Sequence, residues 1–154
     1  MPLLLWSPAF PPGGAIPSQY TCSGADLSPP LAWSGVPAGA QSLVLVLADP
    51  DAPRGVFYHW AVYDIPAGVR GLSAGYGSGR PAAGLAEARN SFGQIGYGGP
   101  CPPPGGGVHH YHFRLMAIGR PRLDLDPAAT VLDVETAAAP YTIASTELVG
   151  TYQR

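Results

Sequence analysis

The sequence predicts a mainly β protein, a sandwich-like core of strands with one or two peripheral helices. Short apolar runs, rich in β-branched residues and bounded by turn signals, recur along the chain. The 154 residues include 21 glycines and 19 prolines, a content that suits many tight turns. Only one segment carries both helix start and helix stop signals. The length and the 46% hydrophobic content predict a single domain over residues 1–154.

The predicted strands follow the apolar runs in order. Residues 42–48 read Ser-Leu-Val-Leu-Val-Leu-Ala, a continuous apolar run that predicts a strand buried on both faces. Residues 58–65 predict a second strand, and residues 111–118 predict a third. Residues 145–152 alternate weakly and predict a closing strand.

Strand periodicity divides the residues around the start of the third strand between two faces, so at most half of this histidine cluster can share a site. The two sets are His109, Tyr111 and Phe113 on one face and His110, His112 and Arg114 on the other.

The remaining chain is predicted to be loops and one helix. Residues 7–40 are rich in turn signals, and residues 70–90 are small, Gly-rich and poor in apolar side chains, which favours a long surface excursion. The helix spans residues 128–139, with Asp126 as its predicted cap and Pro140 at its end.

Charge and hydropathy exclude several classes of partner. The net charge is −2, and the chain has no lysine and only scattered arginines, so a nucleic-acid surface is not expected. No apolar run reaches the ~20 residues that span a bilayer, so stable membrane insertion is not expected. The amino-terminal residues lack the basic region of a secretory signal, which predicts a cytoplasmic location.

The two cysteines have no zinc-site or redox-motif spacing. Cys22 and Cys101 are far apart in sequence, and we interpret them as two free thiols in a reducing compartment. A disulfide stays possible if two distant bends line one pocket.

The first of two bends with candidate functional residues follows the strand at residues 42–48. Asp49, Pro50 and Asp51 begin it, and the proline stiffens the exit from the strand and holds the carboxylates in place. Asp51 could simply cap its own turn. His59, at the start of the next strand, can turn back toward the same end of the sheet, where a carboxylate would fix its tautomer.

The second bend precedes the strand at residues 111–118. Its glycines, including Gly98 and Gly99 before Pro100, can adopt positive φ and present backbone N–H groups as an anion-binding nest. His109 and Tyr111 would stand beside this nest as donors. The alternative is a flexible loop with solvated histidines. Two such bends at one sheet end predict a polar binding pocket.

Catalytic and metal chemistry are less favoured by these patterns. His110 and His112 could offer a metal two imidazoles, but no second-shell pattern accompanies them. Cys101 with a histidine has the residue types of a nucleophile pair, but nothing nearby would activate the thiol. No Gly-x-Ser-x-Gly motif supports a serine hydrolase. We therefore predict no metal, no cofactor, no catalytic residue and no enzyme.

Several segments, in this order, resemble the phosphatidylethanolamine-binding protein family, also called the Raf-kinase-inhibitor-like family, and its bacterial branch in particular. These segments are Tyr20-Thr21-Cys22, Ser28-Pro29-Pro30-Leu31-Ala32-Trp33, Asp49-Pro50-Asp51-Ala52-Pro53, His59-Trp60, Asn90-Ser91-Phe92-Gly93, Gly96-Tyr97-Gly98-Gly99-Pro100-Cys101-Pro102-Pro103, His109-His110-Tyr111 and Glu147-Leu148-Val149-Gly150-Thr151-Tyr152.

The resemblance implies an antiparallel β-sandwich with Greek-key-like connections and a small anion pocket at one end. It implies a phosphate-like, carboxylate or phospholipid-headgroup ligand and a binding or regulatory role. The alternatives are a kinase or protease inhibitor or scaffold acting through its surface and, less favoured, a hydrolase using an Asp–His pair. His110 stands where the family usually has arginine. The implied pocket residues are Asp49, Pro50, Asp51, His59, Gly98, Gly99, Pro100, His109 and Tyr111.

Overall fold

The computed structural model describes residues 2–76 and 85–154 and shows two antiparallel sheets with one short α-helix. One sheet has the order β1-β2-β5 and the other the order β6-β4-β3-β7-β8. The prediction of a mainly β sandwich is therefore confirmed. The strands are β1 (Leu4–Trp6), β2 (Leu31–Ser34), β3 (Ser42–Asp49), β4 (Phe57–Pro66), β5 (Gly71–Leu72), β6 (Ala86–Glu87), β7 (His109–Ile118) and β8 (Thr142–Tyr152).

Strand β3 lies at the centre of the larger sheet and is buried on both faces, as its apolar run predicts. Leu45 and Leu47 pack into the core that also contains Trp33 of the smaller sheet. Val44 and Val46 point to the opposite face and pack with residues of the helix. Burying such a side chain contributes about 1.5–3 kcal/mol, so β3 is a rigid support for whatever follows its end.

The helix α1 (Val131–Ala138) begins later than predicted. Its N-cap is Thr130, whose side chain accepts from the backbone N–H of Asp133 while Asp133 accepts from the N–H of Thr130. This reciprocal capping box satisfies two free donors of the first turn, which explains why the helix starts here. The prediction of Asp126 as the cap was wrong, because its Oδ1 accepts from the N–H of Ala128 in a preceding turn.

The end of the helix agrees with the prediction. The α-helix stops at Ala138, and Pro140 lies in a short 3-10 turn, Ala139–Tyr141, that leads into β8. Among the described residues, no helix is long and apolar enough to cross a membrane.

The cysteines form a disulfide, so the interpretation of two free thiols was wrong. The Cα atoms of Cys22 and Cys101 lie 5.3 Å apart, within bonding range, because the chain folds the two loops against each other. The prediction of a cytoplasmic location stays a prediction.

The predicted surface excursion over residues 70–90 is replaced in part by regular structure. Strands β5 and β6 add short edges to the two sheets. Residues 77–84 lie outside the described residues, so that part of the prediction stays a prediction.

Candidate functional site

The antiparallel sheet brings the two bends to one end of the molecule. Strand β3 pairs with both β4 and β7, so its end meets their starts, with Asp49 opposite Phe57 and Ala48 opposite His112. A cavity of about 200 Å³ opens at this sheet end. His59 and His109 both line it, so the two bends do converge.

The cavity has a polar part and a larger apolar part. Its polar lining residues are the predicted residues Asp49, His59, His109 and Tyr111. The predicted residues outside its lining are Pro50, Asp51, Gly98, Gly99 and Pro100. The apolar lining residues, which sequence reasoning missed, are Ala52, Pro53, Phe57, Phe92, Cys101, Pro102 and Pro103.

A β-bulge aims His59 into the cavity. Leu47 pairs with Trp60 and Ala48 pairs with Tyr58, which leaves His59 as the extra residue on β4. A bulge shifts the alternation of side chains along a strand. As a result His59 lines the cavity while the next residue, Trp60, packs in the core between the sheets.

His59 is held as a neutral imidazole by its surroundings. Its Nδ1 lies 2.6 Å from the carbonyl oxygen of Gly98, and because a carbonyl only accepts, Nδ1 carries the proton. Burial lowers the pKa of His59 to about 4, although the hydrogen bond to Gly98 and the charge of Asp49 act in the opposite direction. With the proton on Nδ1, the other nitrogen, Nε2, carries a lone pair and can act only as an acceptor.

The second imidazole is held by a buried carboxylate. Nδ1 of His109 lies 2.6 Å from Oδ2 of Asp49, and both side chains are almost completely buried. The other carboxylate oxygen of Asp49 accepts from the backbone N–H of Asp51 at 2.8 Å. Asp49 therefore fixes both the ring of His109 and the turn after β3.

Tyr111 lies between the two histidines. Its ring centroid is 5.4 Å from that of His59 and 6.3 Å from that of His109. Burial, together with the charges of Asp49 and Asp51, raises the pKa of Tyr111, so the hydroxyl stays protonated and can donate. In residues 2–76 and 85–154 this hydroxyl has no hydrogen-bond partner.

The backbone of the second bend does not form the anion nest that the glycines predict. The N–H of Gly98 donates to the carbonyl oxygen of His59, and the N–H of Gly99 donates to Oδ1 of Asp26. Neither has positive φ, in contrast to Gly96 at 115°. Position 98 requires glycine because the ring of Phe92 packs against its backbone, and a Cβ there would collide with that ring.

Two further predicted residues have structural partners outside the cavity. Oδ2 of Asp51 accepts from the backbone N–H and from Nδ1 of His110, each at 2.8 Å. The carbonyl oxygen of Pro100 accepts from the N–H of Cys22, beside the disulfide. Asp51 and Pro100 thus brace the two bends.

Comparison with known proteins agrees with this architecture. The family described as phosphatidylethanolamine-binding protein matches residues 6–153. The chain belongs to this family.

Relatives of the chain are found in bacteria. The "UPF0098 protein" of Aquifex aeolicus is 43% identical, with 97% of this chain and 88% of that protein covered. The crystal structure of E. coli YbcL, titled a new member of the mammalian PEBP family, superposes with a TM-score of 0.94 at 31% identity, over 100% of this chain and 99% of that one. The homologue CT736 of Chlamydia trachomatis gives 0.89 at 36% identity, over 99% and 98%.

His110 lies outside the cavity, as strand parity predicts. The side chain of His110 is 53% exposed and pairs with Asp51. His112, on the same outer face, pairs with Glu147 of β8. His110 therefore takes part in a surface contact.

The apolar lining residues that sequence reasoning missed include two phenylalanines close to His59. Phe57 and Phe92 meet edge to face at 4.7 Å, and Phe57 is 4.7 Å from the ring of His59. The segment Asn90-Ser91-Phe92-Gly93 resembles a family motif, and this resemblance could have identified Phe92 as a site residue. No sequence pattern identifies Phe57, because its position depends on the bulge in β4.

The cavity lining contains no Arg or Lys among the described residues. Arg154 lies close by, with its Nε donating to the carbonyl oxygen of Pro102. In residues 2–76 and 85–154, no three His, Cys, Asp or Glu side chains come together in a way that could hold a metal ion. Within the described lining, the polar side chains that can face a ligand are the imidazoles, Tyr111 and Asp49.

Proposed function

We propose that the cavity binds a small anion, the phosphate-like or carboxylate group of a ligand such as a phospholipid headgroup, and that the protein acts as a binding or regulatory module. The observation that supports this is the placement of two imidazoles and a tyrosine around one cavity. His59 and His109 are each held at Nδ1, and Tyr111 lies between them with a free donor. Such oriented rings bind with little loss of side-chain entropy.

Anion binding at this site requires a proton. Because the described lining has no fixed cation and His59 is neutral, its Nε2 lone pair would face a bound anion. Protonation turns Nε2 into a charge-assisted donor, and a bound anion favours that form. Affinity is therefore expected to fall as pH rises above about 4, and binding near neutral pH is expected to take up a proton.

The size of the cavity limits the ligand. About 200 Å³ is less than the roughly 300–1,000 Å³ of sites for drug-sized molecules. The cavity suits a headgroup or a small metabolite, and an acyl chain would have to lie outside it.

The chemistry of the lining gives a hydrolase little support. Asp49 and His109 form the hydrogen-bonded pair that general-base catalysis needs. The described lining has no serine or threonine, and Cys101 is tied in a disulfide, so no thiolate is available to attack a substrate.

Calorimetric titration with inorganic phosphate and with acetate tests the proposal. Tyr111→Phe is expected to weaken binding about tenfold, because it removes one hydrogen bond to a charged group. His109→Gln is expected to weaken it at least as much. His112→Gln, on the outer face of the same strand, is the matched control and should leave affinity unchanged.

Two outcomes would contradict the proposal. One is the absence of measurable binding at millimolar anion. The other is an affinity that stays constant from pH 4 to pH 8 with no proton uptake, which would remove the imidazoles from the interaction.

A further inference from the structure

A single peptide group joins the buried imidazole of His59 to a carboxylate outside the cavity. The carbonyl oxygen of Gly98 accepts from Nδ1 of His59 at 2.6 Å, and the N–H of Gly99 donates to Oδ1 of Asp26 at 2.9 Å. This C=O and this N–H belong to the same peptide group, which is trans, so they point in opposite directions. His59 and Asp26 therefore lie on opposite sides of one planar unit and are connected through it.

A peptide group in this position transmits the effect of the carboxylate to the imidazole. A carboxylate that accepts from an amide N–H forms a charge-assisted hydrogen bond, and hydrogen bonds in a chain polarise one another. The carbonyl oxygen of Gly98 thus becomes a stronger acceptor for Nδ1 of His59. Because the partner of one ring nitrogen decides which nitrogen carries the proton, the carboxylate of Asp26 acts on the tautomer of His59 without touching the ring.

Close packing on both sides holds this peptide group in place. A Cβ at Gly98 would collide with the ring of Phe92, and a Cβ at Gly99 would collide with Oδ1 of Asp26. The N–H of Gly98 also donates to the carbonyl oxygen of His59 at 3.0 Å, so these two residues hold each other by two hydrogen bonds. The peptide group cannot rotate without breaking contacts with both Asp26 and His59.

The backbone of Asp26 is in a conformation that residues other than glycine seldom adopt. Its φ is 59°, in the left-handed region. Such conformations persist where the surrounding structure imposes them, often at functional sites. The loop that carries Asp26 is tied to the second bend by the hydroxyl of Tyr97, which donates to the carbonyl oxygen of Tyr20 at 2.6 Å, and by the disulfide of Cys22 and Cys101.

The carboxylate of Asp49 serves the other imidazole of the cavity. Its Oδ2 meets Nδ1 of His109, and its Oδ1 accepts from the N–H of Asp51. The two imidazoles are therefore oriented by two different carboxylates, one in direct contact with His109 and one that reaches His59 through a peptide group.

We propose that Asp26 is a positioning residue for His59, and that its carboxylate, acting through the peptide group between Gly98 and Gly99, fixes the Nδ1–H tautomer and leaves Nε2 as the nitrogen that meets a ligand. The effect on the tautomer does not depend on what the cavity binds. The effect on anion affinity rests on the proposed function.

The test follows the imidazole nitrogens of His59 by NMR in the ligand-free protein near neutral pH. The wild type is compared with Asp26→Asn, Asp26→Ala and Asp124→Ala. Asparagine keeps an oxygen acceptor for the N–H of Gly99 and removes the charge, whereas alanine removes both. Asp124 is the control, because its φ of 55° is nearly that of Asp26 and its carboxylate pairs with Arg120 on the surface.

The wild type and Asp124→Ala are expected to show His59 as a single Nδ1–H tautomer. Asp26→Ala should give a mixture of both tautomers and weaken the binding of inorganic phosphate about tenfold, as expected when the orienting partner of a functional histidine is lost. Asp26→Asn should keep the single tautomer. In that variant the Nδ1 proton of His59 and the amide proton of Gly99 should both move upfield, because an amide oxygen is a weaker acceptor than a carboxylate.

Three outcomes would overturn this inference. One is an unchanged tautomer of His59 in Asp26→Ala. Another is an Asp26→Asn spectrum in which the Gly99 amide proton moves while the Nδ1 proton of His59 stays in place, and this arm decides the matter if Asp26→Ala does not fold. The third is the same mixture of tautomers in Asp124→Ala. A mixture confined to Asp26→Ala, in a protein whose wild type binds no phosphate, would keep the positioning role and overturn the proposed function.

Discussion

The two faces of strand β7 carry histidines of the same kind in very different surroundings. On the inner face, the side chains of His109 and its partner Asp49 are 7% and 4% exposed. On the outer face, His110 and Asp51 are 53% and 42% exposed, and His112 pairs with Glu147 in a similar setting. Every one of these contacts joins Nδ1 to a carboxylate oxygen at 2.6–2.9 Å.

The comparison shows that distance alone does not rank these pairs. An exposed ion pair contributes about 0–1 kcal/mol, because water screens it and two side chains lose freedom. Removing one member of a buried pair costs about 3–5 kcal/mol, because the remaining group is left without a partner away from water. We therefore expect the inner pair, together with the scaffold that encloses it, to dominate both stability and binding.

The largest expected effect comes from removing the disulfide, whose Cys101 lines the cavity. Replacing both Cys22 and Cys101 by serine is expected to lower the free energy of unfolding by about 4 kcal/mol, since the disulfide closes a long loop in the unfolded chain. Denaturant unfolding measures the change. Reduction of the wild type should reproduce it, and a loss below about 1 kcal/mol would show that this link contributes little.

The next largest effect is expected from breaking the buried pair of Asp49 and His109. Asp49→Ala is expected to lower the free energy of unfolding by about 3 kcal/mol, because His109 loses its buried partner. Asp51→Ala, the same change at an exposed pair, should cost less than about 1 kcal/mol. Equal losses in the two variants, measured by denaturant unfolding, would remove the distinction between the faces.

A third measurement uses pH to probe the buried His59. Its pKa is about 4 in the fold and near 6.5 when unfolded, so between these values the unfolded chain binds more protons. Stability should therefore fall as pH drops from 7 to 4, by up to about 3 kcal/mol. His59→Gln is the control, because carboxylate contributions largely cancel in the difference. Parallel curves for the two proteins would show that His59 is not buried as a neutral ring.

The smallest effects are expected on the outer face. His110→Ala and His112→Ala should each change the free energy of unfolding by less than about 1 kcal/mol, since their partners remain solvated. Moderate salt should weaken even this effect by screening. A larger loss for either variant would mean that the outer pairs form a cooperative network across β7 and β8.

Much of the fold could be predicted because the relevant signals are local. The apolar run that became β3 (Ser42–Asp49) indicates a doubly buried strand by itself. Period-two alternation correctly separates the inner from the outer histidines of β7. The start of the helix also has a local signal, because Thr130 and Asp133 have the spacing of a capping box.

The candidate site was only partly predictable, because its details depend on contacts between distant segments. The glycine pattern allows an anion nest, but the N–H groups of Gly98 and Gly99 are taken by His59 and Asp26. No local sequence pattern predicts those hydrogen-bond partners. Likewise, no spacing rule shows that Cys22 and Cys101 approach within bonding range.

The sequence by itself determined which segments become strands, which face of β7 is buried and which family the motifs resemble, since side-chain periodicity and turn chemistry act over a few residues. Only the tertiary structure decided that a bulge aims His59 inward, that the glycine N–H groups are already paired and that Cys22 and Cys101 form a disulfide. These features depend on which distant atoms meet when the sheets pack, and that is settled by the whole fold.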